Sequence, residues 1–228
     1  MGGTALWRAA DGVIEKGRAI AARMLDADPN TVEFNNGYFT VPGTNRSVAL
    51  LDVAAEARSA RAPLDTYHRW TREWMTYPNG AHVVEIEIDP ETGALCIDRY
   101  TAVDDYGVLV NPMIVTGQAH GAIAQGIGQS LMEQAVYDAE TCQPLTGSFM
   151  DYALPRADDV PPITLSFNGT PCTTNPLGVK GCGEAGAIAA FPAITNAIDD
   201  ALAAVGANAP RGAATPSRIW QAIRKAKG

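Results

Sequence analysis

The stretch Gly178-Val179-Lys180-Gly181-Cys182-Gly183-Glu184-Ala185-Gly186 decides between two folds. Its Gly181-x-Gly183-x-x-Gly186 spacing is the literal dinucleotide-binding pattern. That pattern belongs between a strand and a helix, and it opens a β-α-β unit whose second strand ends in an acidic residue. An apolar helical run over about 184–205 does follow. Residues 206–216, however, are rich in Ala, Gly and Pro, and a helical run at 217–226 comes next. No second strand is offered, so a nucleotide-binding domain for a nicotinamide or flavin cofactor is the weaker alternative.

Upstream, strands and helices are interspersed without regular β-α-β order. Residues 4–25 carry Leu6, Val13, Ile14, Ile20, Met24 and Leu25 at helical spacing. Val32-Glu33-Phe34 and Tyr38-Phe39-Thr40-Val41 flank Asn36-Gly37, a strong hairpin turn. Ser47 is placed to cap a short helix over 48–58, packed through Leu51 and Val53. His82 to Asp89 alternates, with Val84, Ile86 and Ile88 on one face and Glu85 and Glu87 on the other. Asp89-Pro90-Glu91-Thr92-Gly93 turns the chain into a partner strand over 95–103, and a helix over about 112–133 follows. A strand is expected at 163–167. The fold class is therefore α+β: hairpins and a mixed sheet packed with buried, Gly-rich helices. No repeat or linker divides the chain, which reads as a single region over 1–228.

At 228 residues and 46% hydrophobic, the chain can bury a substantial core. Its net charge of −8 argues against nucleic acid or an anionic membrane surface, which select clustered Lys and Arg. The basic residues of 218–227 read instead as a helix end complementing the dipole. Cys96, Cys142, Cys172 and Cys182 form no C-x-x-C pair and no zinc or iron–sulfur spacing, so no metal ligand is assigned. So few cysteines predict a reducing, cytoplasmic setting. Arg8 and Asp11 interrupt any signal-peptide core. Residues 106–132 hold no charged side chain, but Asn111, Gln118, His120, Gln125 and Gln129 favour burial in protein over a membrane span.

Two long helices with so little charge predict that more protein covers them than the chain supplies. In the first, Gly117, Gly121, Ala124 and Gly128 fall on one stripe, which suits another backbone or a ligand. Gln118, Ala122, Gln125 and Gln129 fall on the next. Tight helix packing is the plainer reading. The sharper one has Gln118, near the helix start, donating to a bound cofactor. In the loop, Lys180 supplies a point cation suited to a phosphate or ring oxygen. Glu184 follows at the start of a helix, either as an ordinary capping residue or as a base.

Four motifs in order resemble the molybdenum-cofactor-binding large subunits of xanthine oxidase/aldehyde oxidase-type molybdenum hydroxylases. They are Thr76-Tyr77-Pro78-Asn79-Gly80 with the 85–93 hairpin; Asp104-Asp105-Tyr106-Gly107 and Asn111-Pro112 with Gly117-Gln118-Ala119-His120-Gly121 through Gly128; Gly147 to Pro155; and Lys180-Gly181-Cys182-Gly183-Glu184. The resemblance covers essentially the whole chain and implies the carboxy-terminal part of that subunit, or one half of a split one. It makes Glu184 the catalytic base, taking a proton as water-derived oxygen adds to an electron-poor carbon of an aldehyde or N-heterocycle. It makes Gln118, Lys180, Cys182, Gly183 and Asn111 contacts to a molybdopterin cofactor, commonly the cytosine dinucleotide form in bacteria. It also implies partners: the amino-terminal part of the subunit, an iron–sulfur subunit and an FAD subunit, without which the chain is inactive. Tyr106 and Ala81 depart from the family, which commonly has a smaller residue and a cysteine there. A non-catalytic remnant or binding module of the same fold is the rival.

Overall fold

The computed structural model describes all of residues 1–228, which form two compact units, Met1–Trp74 and Met75–Gly228. The division falls in 62–78, where no helix or strand forms and most side chains are exposed. No linker composition marks that segment.

In the first unit, the apolar spacing of the amino-terminal run produces α1 (Gly2–Met24). Asn36 and Gly37 both take positive φ, as a tight hairpin turn requires, and join β1 (Glu33–Asn35) to β2 (Tyr38–Thr40). The sequence places a helix cap at Ser47, and the structure corrects this. Ser47–Ala49 is a third strand, β3, pairing antiparallel with β2, so Ser47 lies opposite Thr40. The free edge of β2 takes up these residues before the helix α2 (Leu50–Ser59) can begin. Leu51 is 81% exposed, while Val53 and Ala57 pack into the core with Ile20, Val32 and Phe39.

In the second unit, β4 (Asn79–Ile88) and β5 (Leu95–Asp105) form the expected hairpin. Its turn is fastened by Asp89, which accepts hydrogen bonds from the Glu91 N–H at 2.9 Å and the Thr92 hydroxyl at 2.7 Å. The strand β6 (Ile163–Phe167) lies parallel to β5, so the sheet is mixed, in the order β4-β5-β6. Three helices complete the unit: α3 (Pro112–Leu131), α4 (Ala185–Ala203) and α5 (Pro216–Lys227). Tyr100 and Ala102 of β5 pack with Ile123 and Ile127 of α3, Ile194 and Ile198 of α4, and Ile219 and Ile223 of α5. Burying each large side chain of this set contributes about 1.5–3 kcal/mol. Arg224, Lys225 and Lys227 end α5, where cations complement the dipole. No helix is long and apolar enough to cross a membrane.

The helices α3 and α4 touch through small residues, but not through the stripe predicted from sequence. Ala119, Ala122 and Gly126 face Gly186 and Ala190. A Cβ on Gly186 would stand 2.9 Å from both the Ala119 carbonyl oxygen and the Ala122 Cβ, so the backbones meet there. Gly117 and Gly121 instead face open space, and Gly128 packs against Pro155. Neither helix is buried all round by this chain. Gln118, Gln125 and Gln129 of α3 are exposed, as is Ile188 of α4 at 71%.

Candidate active site at the Gly-rich loop

The strand β5 ends in two acids, Asp104 and Asp105, and the chain turns at Gly107 in the left-handed region. A side chain there would collide with the Gly178 carbonyl, so this turn requires glycine. Gly178 accepts from the Val108 N–H at 2.9 Å, and the Lys180 N–H donates to the Tyr106 carbonyl at 2.9 Å. Asn175 exchanges two hydrogen bonds with the backbone of Val179. The loop over 175–180 is thus stitched to the end of β5 before the chain reaches Glu184.

Glu184 occupies the N-cap position of α4, is exposed, and makes no capping hydrogen bond with its side chain. The ordinary capping role therefore has no bond to support it here. Gly181 and Gly183 are exposed beside it, with open space where a Cβ would be, and Cys182 between them is half-buried and free.

Lys180 does not stand alone. Its Nζ donates to Asp105 Oδ2 at 2.6 Å, and both side chains are 11% exposed. The other oxygen of Asp105 accepts from the Gly107 N–H at 2.8 Å and the Thr170 N–H at 3.0 Å. The Lys180 hydrogen bond and then the Gly107 N–H hold the Asp105 carboxyl down at about 2. Behind this pair lies a second buried set. His82 joins Tyr100 through Nδ1 at 2.7 Å and Asp104 through Nε2 at 3.1 Å. The Tyr106 hydroxyl donates to the other Asp104 oxygen at 2.8 Å. Burial first, and then that bond to Asp104, push the Tyr106 hydroxyl far above its ordinary value. Tyr106 is thus buried, and its ring also meets Phe167.

On α3, the Asn111 side chain accepts from the Ile114 N–H at 3.1 Å and caps the helix. Gln118 is the seventh residue of that helix, beyond the first turn whose N–H groups are free. The helix-end field therefore does not single out Gln118; its exposed amide remains as a donor. The contact of Gly186 with Ala119 brings the start of α4 against the α3 turn that carries Gln118. Asn111 sits roughly 10 Å further along the axis, at 1.5 Å per residue.

Two observations bear on whether a large cofactor fits these residues. Gly117, Gly121, Gly181 and Gly183 all present bare backbone to open space, on the two elements that meet at Gly186. The buried Nε2 of His120, on the same stretch of α3, has no hydrogen-bond partner. Bare backbone and an unpaired polar nitrogen suit a ligand rich in donors and acceptors. Sequence reasoning singled out neither Asp105 nor His82 nor His120. Two adjacent acids, both buried, at the end of β5 were the feature to find for the first, and the two letters alone do not tell buried acids from exposed ones. Nothing in the spacing marked the histidines.

Comparison with known proteins gives the family and the fold. Residues 1–161 match the model of the molybdopterin cofactor-binding domain. The chain is 40% identical to the gamma subunit of the 6-hydroxypseudooxynicotine dehydrogenase complex of Paenarthrobacter nicotinovorans, covering 100% of this chain and 30% of that protein. It is 35% identical to the large subunit of nicotine 6-hydroxylase from the same organism, over 95% of this chain and 28% of that one. The crystal structure of Cu,Mo-CO dehydrogenase superposes with a TM-score of 0.87 at 29% identity, covering 100% of this chain and 29% of that one. The chain thus spans about 30% of the length of these relatives. With an α+β fold that matches a molybdenum enzyme and a loop ending at Glu184, the chain belongs to the molybdopterin cofactor-binding domain family of the xanthine oxidase-type molybdenum oxidoreductases.

Proposed function

We propose that the chain is the carboxy-terminal portion of a molybdenum hydroxylase large subunit, oxidising an electron-poor carbon of an N-heterocycle or aldehyde with water as the oxygen source. The observation that carries this reading is the exposed, uncapped carboxylate of Glu184, set just past a loop hydrogen-bonded to the end of β5 and beside bare glycine backbone. The N-heterocycle arm is favoured by a relative named as a nicotine 6-hydroxylase.

When bound, the molybdenum cofactor supplies an acidified water-derived oxygen and a two-electron sink. Glu184 takes the proton at a carboxylate oxygen, which its freedom from capping bonds leaves available. The Gln118 amide donates to an acceptor on the pterin or phosphate portion. Cys182 and Gly183 approach the cofactor through backbone, as the space beside Gly183 allows. Asn111 shapes the entry of α3 while holding its cap. Lys180 joins the cradle with its charge already matched by Asp105. A cytosine dinucleotide form of the cofactor, an amino-terminal large-subunit portion, and iron–sulfur and FAD subunits in the cytoplasm complete the proposal.

In the assembled enzyme purified from its native host, Glu184→Gln should lower kcat by about 10²–10⁴-fold, the range for a positioned acid–base group. Molybdenum, cytosine nucleotide and the co-purifying subunits should stay at wild-type stoichiometry. Near-normal turnover of this variant would sink the assignment.

A further inference from the structure

We propose that Asp105 is the positioning residue of this site, holding the loop that presents Glu184 in place through Lys180. The inference rests on the reading of Glu184 as the base. One carboxylate at the end of β5 ties its own turn to two points some 65 and 75 residues further along the chain. Oδ1 receives the Gly107 N–H at the end of β5 and the Thr170 N–H after β6. Oδ2 receives the Lys180 ammonium from the loop, four residues ahead of Glu184.

The surrounding backbone bonds reinforce the same junction. Val108 and Cys172 both donate to the Gly178 carbonyl, and the Lys180 N–H donates to Tyr106. Asn168 donates to the Asp104 carbonyl, so the segment after β6 is also tied to β5. Side-chain and backbone atoms of Lys180 therefore both end on the same strand terminus.

An ion pair this well buried loses much of its Coulombic gain to desolvation, so stability alone is a weak reason for it. Its geometry is better matched to specification. Charge-assisted bonds are short and directional, and groups that orient a catalytic side chain must be held by others to within fractions of an ångström. Glu184 has no side-chain capping bond; its carbonyl accepts the Ile188 N–H of α4, and on its other side the chain runs through Gly181 to Gly183 back to Lys180. Lys180 thereby acts through Asp105 instead of serving chiefly as a free cation for the cofactor.

The test uses the assembled holoenzyme with Asp105→Asn, Lys180→Met, the double variant and Lys180→Arg. Hydrogen–deuterium exchange over 178–184, molybdenum content, kcat and KM are measured on each. Each of the first two should speed exchange in the loop and lower kcat by about tenfold, the size of one lost charge-assisted hydrogen bond, with KM little changed. The double variant should be no worse than either single one, because one interaction is removed in all three. Lys180→Arg keeps the charge and should restore loop protection and most of kcat. It also keeps the test open should the neutral variants fold poorly.

Unchanged loop exchange in Asp105→Asn, with molybdenum lost only from Lys180→Met, would overturn the proposal by making Lys180 a direct cofactor contact. If the loop loosens as expected in these variants while Glu184→Gln remains active, the strap stands and the assignment of Glu184 as the base fails. The two failures are thus told apart.

Discussion

The carboxylate of Asp105 has three donors and no freedom to move without breaking one of them. Its pKa of about 2 lies below the ordinary 3.8, so the sign of its effect on stability follows directly. The stabilisation is complete above about pH 4 and is lost as pH falls through about 2. Urea midpoints measured between pH 5 and pH 2 should therefore fall less steeply in Asp105→Asn than in the parent. Parallel profiles would show that the carboxylate is not held by its partners in solution. His82, Asp104 and Tyr106 lie just behind it, each bonded to another member of that set. These residues make the terminus of β5 polar yet satisfied, which is the condition for burying acids at all.

At the scale of elements, the glycines of α3 and α4 divide into two kinds that composition does not distinguish. Gly186 has the backbone of α3 against it, whereas Gly121 has nothing within 4 Å. Gly186→Ala should therefore force the helices apart and destabilise by roughly 1–3 kcal/mol, the usual cost of overpacking. Gly121→Ala should stabilise the chain by about 0.8–1 kcal/mol through helix propensity, because its Cβ meets no neighbour. Thermal unfolding of the two variants checks both signs. A destabilised Gly121→Ala would mean that the open face is closed in solution. The same substitution should lower molybdenum content in the assembled enzyme if the cofactor approaches that backbone.

For the whole molecule, two units with separate cores are joined through a segment lacking regular structure. Exposed, irregular backbone is where proteases cut first. Limited trypsinolysis of the chain should begin at Arg69 or Arg72, both exposed, and leave fragments corresponding to Met1–Trp74 and Met75–Gly228 largely intact. First cuts at Arg18 or Arg23, inside α1, would contradict independent stability of the first unit. The second unit carries several large apolar side chains on its surface, including Phe149 at 83%, Met150 at 93% and Ile188 at 71%. The relatives matched are more than three times as long as this chain.

Local patterns sufficed where the chemistry is local. The alternation from Val84 to Ile88, the Asn36-Gly37 turn, the acidic turn at Asp89 and the apolar runs of α3 and α4 each gave their element within a few residues. The missing strand after 206 made a dinucleotide fold the weaker alternative, and the position of Glu184 at the head of a helix was legible from the glycines before it. Tertiary structure decided what periodicity cannot encode. Ser47 became a strand residue because β2 offered an unpaired edge, and Leu51 faced outward once α2 began two residues later than the cap had suggested. The small residues of α3 that meet α4 proved to be Ala119, Ala122 and Gly126, because the packing angle chooses one stripe among several of equal composition. Lys180 gained its partner 75 residues away in Asp105 for the same reason. A charge in sequence carries no record of which distant group the fold will bring within hydrogen-bond reach, and that choice belongs to the packing of β5, β6 and the loop together.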